Sequence, residues 1–266
     1  MLETGNTQGL TPALALPLWR AGLLLTPAEC AMLPPGLSRE LERSDTPAAP
    51  CQPPEIAGPA LWRQFCPDFD RLGQTRADMP PQPEAGTCFT AGRWTWLKGI
   101  LSAEEAAQAA ATWRRLAHAD LLLTDTDRGA RINNDPLGRA LLRRLTPLVG
   151  QVVGRPLRQS YSFAMDYRTG AKLEAHIDRP QCEYTMSLLL DYLPALENGC
   201  SPWPLEVELT AGAPFTRLFQ APGDAVLFCG RELRHRRPTI PTGASSLVLM
   251  LHWVDADFPD RDMDRT

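Results

Sequence analysis

The chain has 266 residues, 44% of them hydrophobic and 22% charged, which are the proportions of an ordinary globular protein and enough length for one catalytic domain with an addition. A net charge of −4 and a pI of about 5.6 give no general electrostatic footprint for nucleic acid, so a small molecule or a peptide is the expected partner. The seven cysteines form no Cys-x-x-Cys pair, no secretory leader is legible, and the apolar run from Leu14 to Leu25 is broken by Arg20; a cytoplasmic protein with reduced thiols and no membrane association is expected.

Residues 1–91 read as a proline-rich N-terminal addition. Thr26-Pro27 looks like a helix start, with Thr26 as cap. Between Pro34 and Pro83 prolines recur too densely for regular structure, because each removes a donor and restricts its predecessor. Trp62, Phe65, Phe69 and Leu72 are nevertheless too apolar for a linker. Two readings stay open: a wrapper anchored by its aromatics, or a lid that recognises substrate.

Residues 92–266 read as the catalytic domain, with supporting helices over 92–154 and β structure over 155–257. Trp94, Trp96 and Leu97 suggest a strand. Ser102 and Glu105 form a capping box that starts a helix running to about His118, with Trp113 and Leu116 inward. Residues 127–135 read as a loop, with Arg131 and Asn133 in solvent. Asp135-Pro136 caps a second helix, with Leu137, Leu141, Leu142 and Leu145 at core spacing and Arg139, Arg143 and Arg144 turned outward. Thr146-Pro147 is expected to interrupt it and restart a helix to Val153.

Short strands then follow at Leu157–Tyr167, Leu173–Ile177, Tyr184–Tyr192, Leu205–Leu209, Thr216–Phe219, Ala225–Cys229 and Leu247–Val254, separated by Gly, Pro and Asp turns. Strands at this density predict an antiparallel sandwich or barrel. With helices before it, the fold class is α+β.

The chemistry concentrates at His176-Ile177-Asp178. An imidazole and a carboxylate two residues apart at a strand end can offer one nitrogen and one oxygen to a single divalent metal. Of the four histidines, His235 is the natural third ligand, since it follows a Pro-Gly-Asp turn and a short apolar strand. Two histidines and one carboxylate leave coordination positions open, the facial arrangement of non-haem Fe(II) oxygenases. Glu174 is a rival carboxylate left outside this set, and Asp224 is read as shaping its turn.

From Ser160 to Val254 the chain resembles the Fe(II)- and 2-oxoglutarate-dependent dioxygenases, in particular their prolyl-hydroxylase-like branch. The resemblance rests on Tyr167 and Gly170 before His176-x-Asp178, on Tyr192-Leu193, on Pro222-Gly223-Asp224, and on His235 followed by Gly243 and a last apolar strand. It implies a double-stranded β-helix, or jelly roll, Fe(II) on His176, Asp178 and His235, 2-oxoglutarate and O2 as cosubstrates, and ascorbate as reductant. It also implies that Tyr167 and Tyr192 help to hold the cosubstrate carboxylate. The expected reaction is hydroxylation of a small molecule or a peptide side chain.

One departure changes the site. The family places a Lys or Arg about ten residues after the distal histidine, to pair with the far carboxylate of 2-oxoglutarate. Here Ala244, Ser245 and Ser246 occupy that register. A buried carboxylate without a cation is costly, so a substitute is expected alongside neutral donors from Ser245 and Ser246. Lys172 comes first, because residues 172, 174 and 176 share a face of a regular strand. Arg168, Arg217, Arg236 and Arg237 follow, and His252 shares a face with Ser246. The alternatives are an iron oxidase that does not use 2-oxoglutarate, or a noncatalytic metal-binding scaffold on the same fold.

Overall fold

The computed structural model describes residues 66–80, 82–118, 123–125, 129–195 and 199–263. Trp62, Phe65 and the helix start expected at Thr26 lie outside them. In chain order the elements are α1 (Phe69–Leu72), α2 (Ala85–Gly92), β1 (Trp94–Leu97), α3 (Ala103–His118), β2 (Leu123–Asp125), β3 (Gly129–Asn133), α4 (Pro136–Val153), β4 (Leu157–Tyr167), β5 (Leu173–His176), β6 (Tyr184–Leu193), β7 (Leu205–Val207), β8 (Thr216–Leu218), β9 (Ala225–Phe228), β10 (His235–Arg237), β11 (Ser245–Asp255) and α5 (Asp260–Met263).

Strands β4 to β11 form a double-stranded β-helix. The sheet order β1-β9-β6-β11-β4-β3-β2 contains four of these eight strands, and β5-β10-β7-β8 contains the other four. Every pairing is antiparallel. Successive strands alternate between the sheets except β7 and β8, which pair with each other in the smaller one, and this winding brings the second and seventh strands of the roll, β5 and β10, side by side. β1 extends the larger sheet beyond β9, and β3 extends it beyond β4.

Helices α3 and α4 back the larger sheet, and their apolar faces explain why. Trp113, Leu137, Leu141 and Leu145 join Leu188, Leu249 and Trp253 in one buried core. Each helix starts where its sequence directs. Ser102 Oγ accepts from Glu105 N at 3.1 Å while Glu105 Oε2 accepts from Ser102 N at 2.8 Å, a reciprocal cap. Asp135 Oδ1 accepts from Leu137 N and Gly138 N.

Three expectations are corrected here. α4 is continuous, with Pro147 inside it; the ring sits on the exposed side of the helix, and Thr146 Oγ1 donates to Leu142 O at 2.7 Å. Arg144 is buried, not outward, because its Nη1 meets Glu105 Oε1 and Leu72 O, both at 2.9 Å. The segment expected as a loop around Arg131 is strand β3, hydrogen-bonded along β4. Phe69, Leu72, Ala85 and Phe89, from the end of the expected N-terminal addition, belong to the same core as the helices.

Candidate metal centre

Local strand geometry assembles the site. In β10, His235 stands opposite His176, but Arg237 stands opposite Leu173. Two steps along β10 therefore match three along β5, which is a bulge that inverts the alternation of β5. Leu173 and His176 both reach the interior cavity, while Lys172 and Glu174 turn to solvent and pair with each other. β10 keeps its regular period of two, so His235 and Arg237 both point inward and are both buried.

His176 Nε2 and His235 Nε2 each lie 3.6 Å from Asp178 Oδ1. The potential ligand atoms of the three residues all fall within 4.8 Å of one another. His176 Nδ1 is 2.8 Å from Glu174 O, and His235 Nδ1 is 3.0 Å from Leu233 O. A carbonyl can only accept, so each Nδ1 carries the proton and each Nε2 keeps its lone pair for a metal. Burial lowers the pKa of His235, outweighing the attraction of Asp178, which favours the neutral ligating form.

Asp178 is oriented by its other oxygen. Thr185 Oγ1 donates to Asp178 Oδ2 at 2.6 Å and lies 3.1 Å from His252 Nδ1. With its one proton given to Asp178, the threonine hydroxyl accepts from the His252 Nδ1–H. Burial pushes His252 down to about 4, so this ring is neutral at pH 7. For Asp178 burial alone would raise the pKa, but the His176 contact, the electrostatic influence of the neighbouring His235 and His252 and the Thr185 hydroxyl hold it below the usual carboxylate range. Asp178 N also donates to Gly230 O at 2.8 Å. A Cβ at Gly230 would lie 2.2 Å from Asp178 Oδ2 and 2.4 Å from Thr185 Oγ1, so this close passage of the chain requires glycine.

A second convergent group, Asp178, Cys182 and His252, is poorer in donors. His252 Nδ1 is engaged by Thr185, and burial raises the Cys182 thiol to about 12, against the thiolate a metal needs.

The cavity has a volume of about 520 Å³. Its buried cation is Arg237, 3% exposed, not Lys172. The Arg237 guanidinium lies 4.7 Å above the Trp203 ring and donates from Nη2 to Ser187 Oγ at 2.9 Å. Trp203 is itself fixed by Nε1 donating to Pro238 O and by Tyr167 at 4.9 Å between ring centroids. No carboxylate among the described residues pairs with Arg237, and burial pushes its pKa down to about 10. The other basic candidates are held outside: Arg217 and Arg236 by Glu206 at 2.9 and 2.6 Å, and Arg168 by Asp166 at 3.3 Å.

Of the remaining expected residues, Tyr167 lines the cavity. Tyr192 does not, being packed in the cluster that holds Leu189 and Val248. Ser246 Oγ turns away to donate to Asp191 O at 3.1 Å, and Ser245 is likewise off the cavity wall. Asp224 shapes its turn by accepting from Gly99 N and Ala221 N. Thr185 and Ser187 were not anticipated as site residues, although two polar side chains at period two in the otherwise apolar run 184–190 were a readable signal.

No protein-family description matches the chain, and no curated protein matches it. Solved structures do. The prolyl-4-hydroxylase of Pseudomonas putida is 19% identical, with 97% of that chain and 64% of this one covered and a TM-score of 0.53. An oxidoreductase of the 2OG-Fe(II) oxygenase family from Burkholderia pseudomallei is 14% identical, covering 92% and 67%, with a TM-score of 0.52. HygX of Streptomyces hygroscopicus, solved with nickel and 2-oxoglutarate bound, is 15% identical, covering 89% and 67%, with a TM-score of 0.50. At these identities the likeness establishes the double-stranded β-helix.

Proposed function

We propose that this protein is an Fe(II)- and 2-oxoglutarate-dependent oxygenase that hydroxylates a small molecule or a peptide side chain. The observation that carries the reading is the pairing of two unfinished groups in one cavity. Three ligating atoms converge from His176, Asp178 and His235, and a buried guanidinium has no carboxylate partner among the described residues. A two-histidine, one-carboxylate donor set suits Fe(II), and Arg237 suits the far carboxylate of a dicarboxylate cosubstrate.

Bound at these ligands, Fe(II) with 2-oxoglutarate supplies oxidation of a substrate C–H bond by O2, with 2-oxoglutarate leaving as succinate and CO2. The protein's part is orientation and exclusion of water. Glu174 O and Leu233 O fix the two imidazoles by accepting from Nδ1. Thr185 holds the carboxylate so that Asp178 Oδ1 faces both rings. Arg237, on the same strand face as His235, receives the dicarboxylate in the cavity that Tyr167 lines, with its guanidinium backed by the Trp203 ring. The family's basic residue is thereby moved from the last strand, where Ser246 stands, to β10. This placement disfavours an oxidase without 2-oxoglutarate, because such an enzyme would bury Arg237 to no purpose.

The test is calorimetric titration of 2-oxoglutarate into Mn(II)-loaded protein without oxygen, followed by succinate release with Fe(II), ascorbate and O2. Binding that requires the metal, and succinate formed in stoichiometry with consumed 2-oxoglutarate, are expected. Asp178→Ala should lower metal affinity by about 100-fold or more, since outer-shell changes alone cost about 10–100-fold. Full iron retention by that variant, or no 2-oxoglutarate binding by the parent, would overturn the reading.

A further inference from the structure

The proposed function leaves the substrate unspecified, and the inner face of the larger sheet narrows it. Strand register sets the side chains of that face in rows across the sheet. One row is Ser187, Met250, Phe163 and Asn133, on β6, β11, β4 and β3 in turn. It starts at Ser187, the hydrogen-bond partner of Arg237, and ends on β3, the strand added at the edge of β4. The row beside it starts with Thr185 and His252, and the Tyr161 ring of β4 lies 4.4 Å from the His252 ring between centroids. Met250, Phe163 and Tyr161 all line the cavity that holds the metal ligands.

The row on the other side, Leu189, Val248 and Met165, is buried in the cluster that holds Trp203 and Ile240. Met250 and Phe163 are as apolar and yet only half-buried, and so is Tyr161. They are not scattered surface residues, because they stand together on one cavity wall. Water against such a wall is displaced favourably by another apolar surface. From Ser187 to Phe163 the sheet advances two strand spacings and to Asn133 three, so the strip is about 10–15 Å long. That is the length of two fused rings with a short arm. The Arg131 guanidinium, 6.0 Å from the Phe163 centroid, holds the ring from the β3 side.

The far end of the strip is polar and fixed. Asn134 follows β3 at φ 52°, a conformation asparagine tolerates better than most residues. Its N donates to Ser162 O at 2.9 Å, and its Oδ1 accepts from Ser162 N at 3.1 Å. A backbone N–H requires an acceptor, so this bond identifies the amide oxygen and leaves Nδ2 to donate into the cavity that Asn134 lines. We infer that the substrate has an apolar body of about two fused rings, which lies along Met250 and Phe163, and a carbonyl or hydroxyl oxygen at its far end that accepts from Asn134 Nδ2. The end nearest Thr185 and Asp178 then carries the C–H bond that reacts. The inference rests on the proposed function. Burial of such a body is worth about tenfold or more in affinity, and one neutral hydrogen bond about fivefold.

The experiment uses full-length protein loaded with Mn(II) and saturating 2-oxoglutarate, and reads paramagnetic relaxation of ligand protons by NMR. The probes are 5-acetylindole against 5-ethylindole and 2-acetylnaphthalene against 2-ethylnaphthalene, with acetone as the carbonyl that lacks a body. At least one acetyl compound should show relaxation at about tenfold lower concentration than acetone and about fivefold lower than its ethyl partner, without displacing 2-oxoglutarate. Phe163→Ala and, separately, Met250→Ala should each move that compound toward acetone. Asn134→Asp keeps the Oδ1 acceptor for Ser162 N and removes the Nδ2 donors, so it should abolish the difference between acetyl and ethyl partners. In all three variants the relaxation of 2-oxoglutarate protons should be unchanged, which shows that the fold is intact. Acetone responding as well as the two-ring compounds, acetyl and ethyl partners responding equally in the parent, no response from any two-ring compound, or displacement of 2-oxoglutarate overturns the inference. If 2-oxoglutarate protons are themselves not relaxed by the bound Mn(II), the proposed function has failed and this inference falls with it.

Discussion

Two arginines in this protein are almost equally hidden, Arg144 at 6% exposure and Arg237 at 3%, and their surroundings differ in one respect. Arg144 lies between α1, α3 and α4 and has its acid within the fold, with Glu105 Oε1 at 2.9 Å. Glu105 is completed by Ser102 N at 2.8 Å and Arg76 Nη1 at 3.4 Å. Arg237 lies in the cavity against a tryptophan ring and a serine hydroxyl, with no acid among the described residues. Depth of burial therefore does not separate a structural charge from a ligand-binding one. The partner does: a buried cation that the fold neutralises serves the fold, whereas one left without an anion is poised for a ligand that brings one.

The largest effect is expected on the paired side. Arg144→Met leaves the buried Glu105 with Ser102 N and, as its cation, the longer Arg76 contact, and should lower unfolding free energy by about 3 kcal/mol or more, measured by urea denaturation with the candidate metal site unaffected. The same pair predicts acid sensitivity. Burial works to raise the Glu105 pKa, but its bonds to Arg144 and Ser102 N and the charge of Arg76 hold it below its ordinary 4.5. Its contribution is therefore complete above pH 4.5 and is lost as pH falls through the depressed value, and Glu105→Gln should flatten that part of the stability profile.

Arg237→Met should act with the opposite sign. A pKa pushed from 12.5 to about 10 means that the folded state holds this proton less firmly than the unfolded chain, so the guanidinium opposes folding at every pH below about 10. Its removal should stabilise the ligand-free protein by about 1–3 kcal/mol while weakening 2-oxoglutarate binding about tenfold or more. A melting scan with and without 2-oxoglutarate reads both effects, and a destabilised variant that still binds 2-oxoglutarate normally would erase the contrast between the two arginines. The smallest effect is expected at Lys172, whose side chain is 59% exposed and paired with Glu174. Lys172→Met should change stability by less than about 0.5 kcal/mol and leave 2-oxoglutarate affinity unchanged in the calorimeter.

The readable features were those that depend on neighbours in the chain. The reciprocal cap at Ser102 and Glu105, the Asp135 cap, the core spacing of α4 and the strand runs from Leu157 onward are local patterns, and the helices and an antiparallel β half follow from them, whereas the roll was implied by the family resemblance. His176, Asp178 and His235 were legible as one cluster because each stands beside a turn or strand end whose spacing places it. What misled was also local. A regular β5 would put Lys172 beside His176, and a bulge visible only against β10 turns it away. Helical spacing turned Arg144 outward, but its acid comes from α3 and its carbonyl partner from α1. Arg131 lay in a stretch whose alternation, Ala130 and Ile132 inward and Arg131 and Asn133 outward from the core, is only five residues long, and it becomes a strand because the edge of β4 offers backbone groups to bond.

By itself, then, the sequence determined where helices and strands start, which faces are apolar, and which three side chains form the candidate metal site, since each depends on capping, periodicity or spacing along one stretch of chain. Which arginine is buried in the cavity, which serine faces away, and that Gly230 must pass bare beside Asp178 were decided by tertiary structure. Those outcomes depend on the register between strands far apart in sequence and on the free energy of burying a charge, and both exist only once the two sheets have closed around the site.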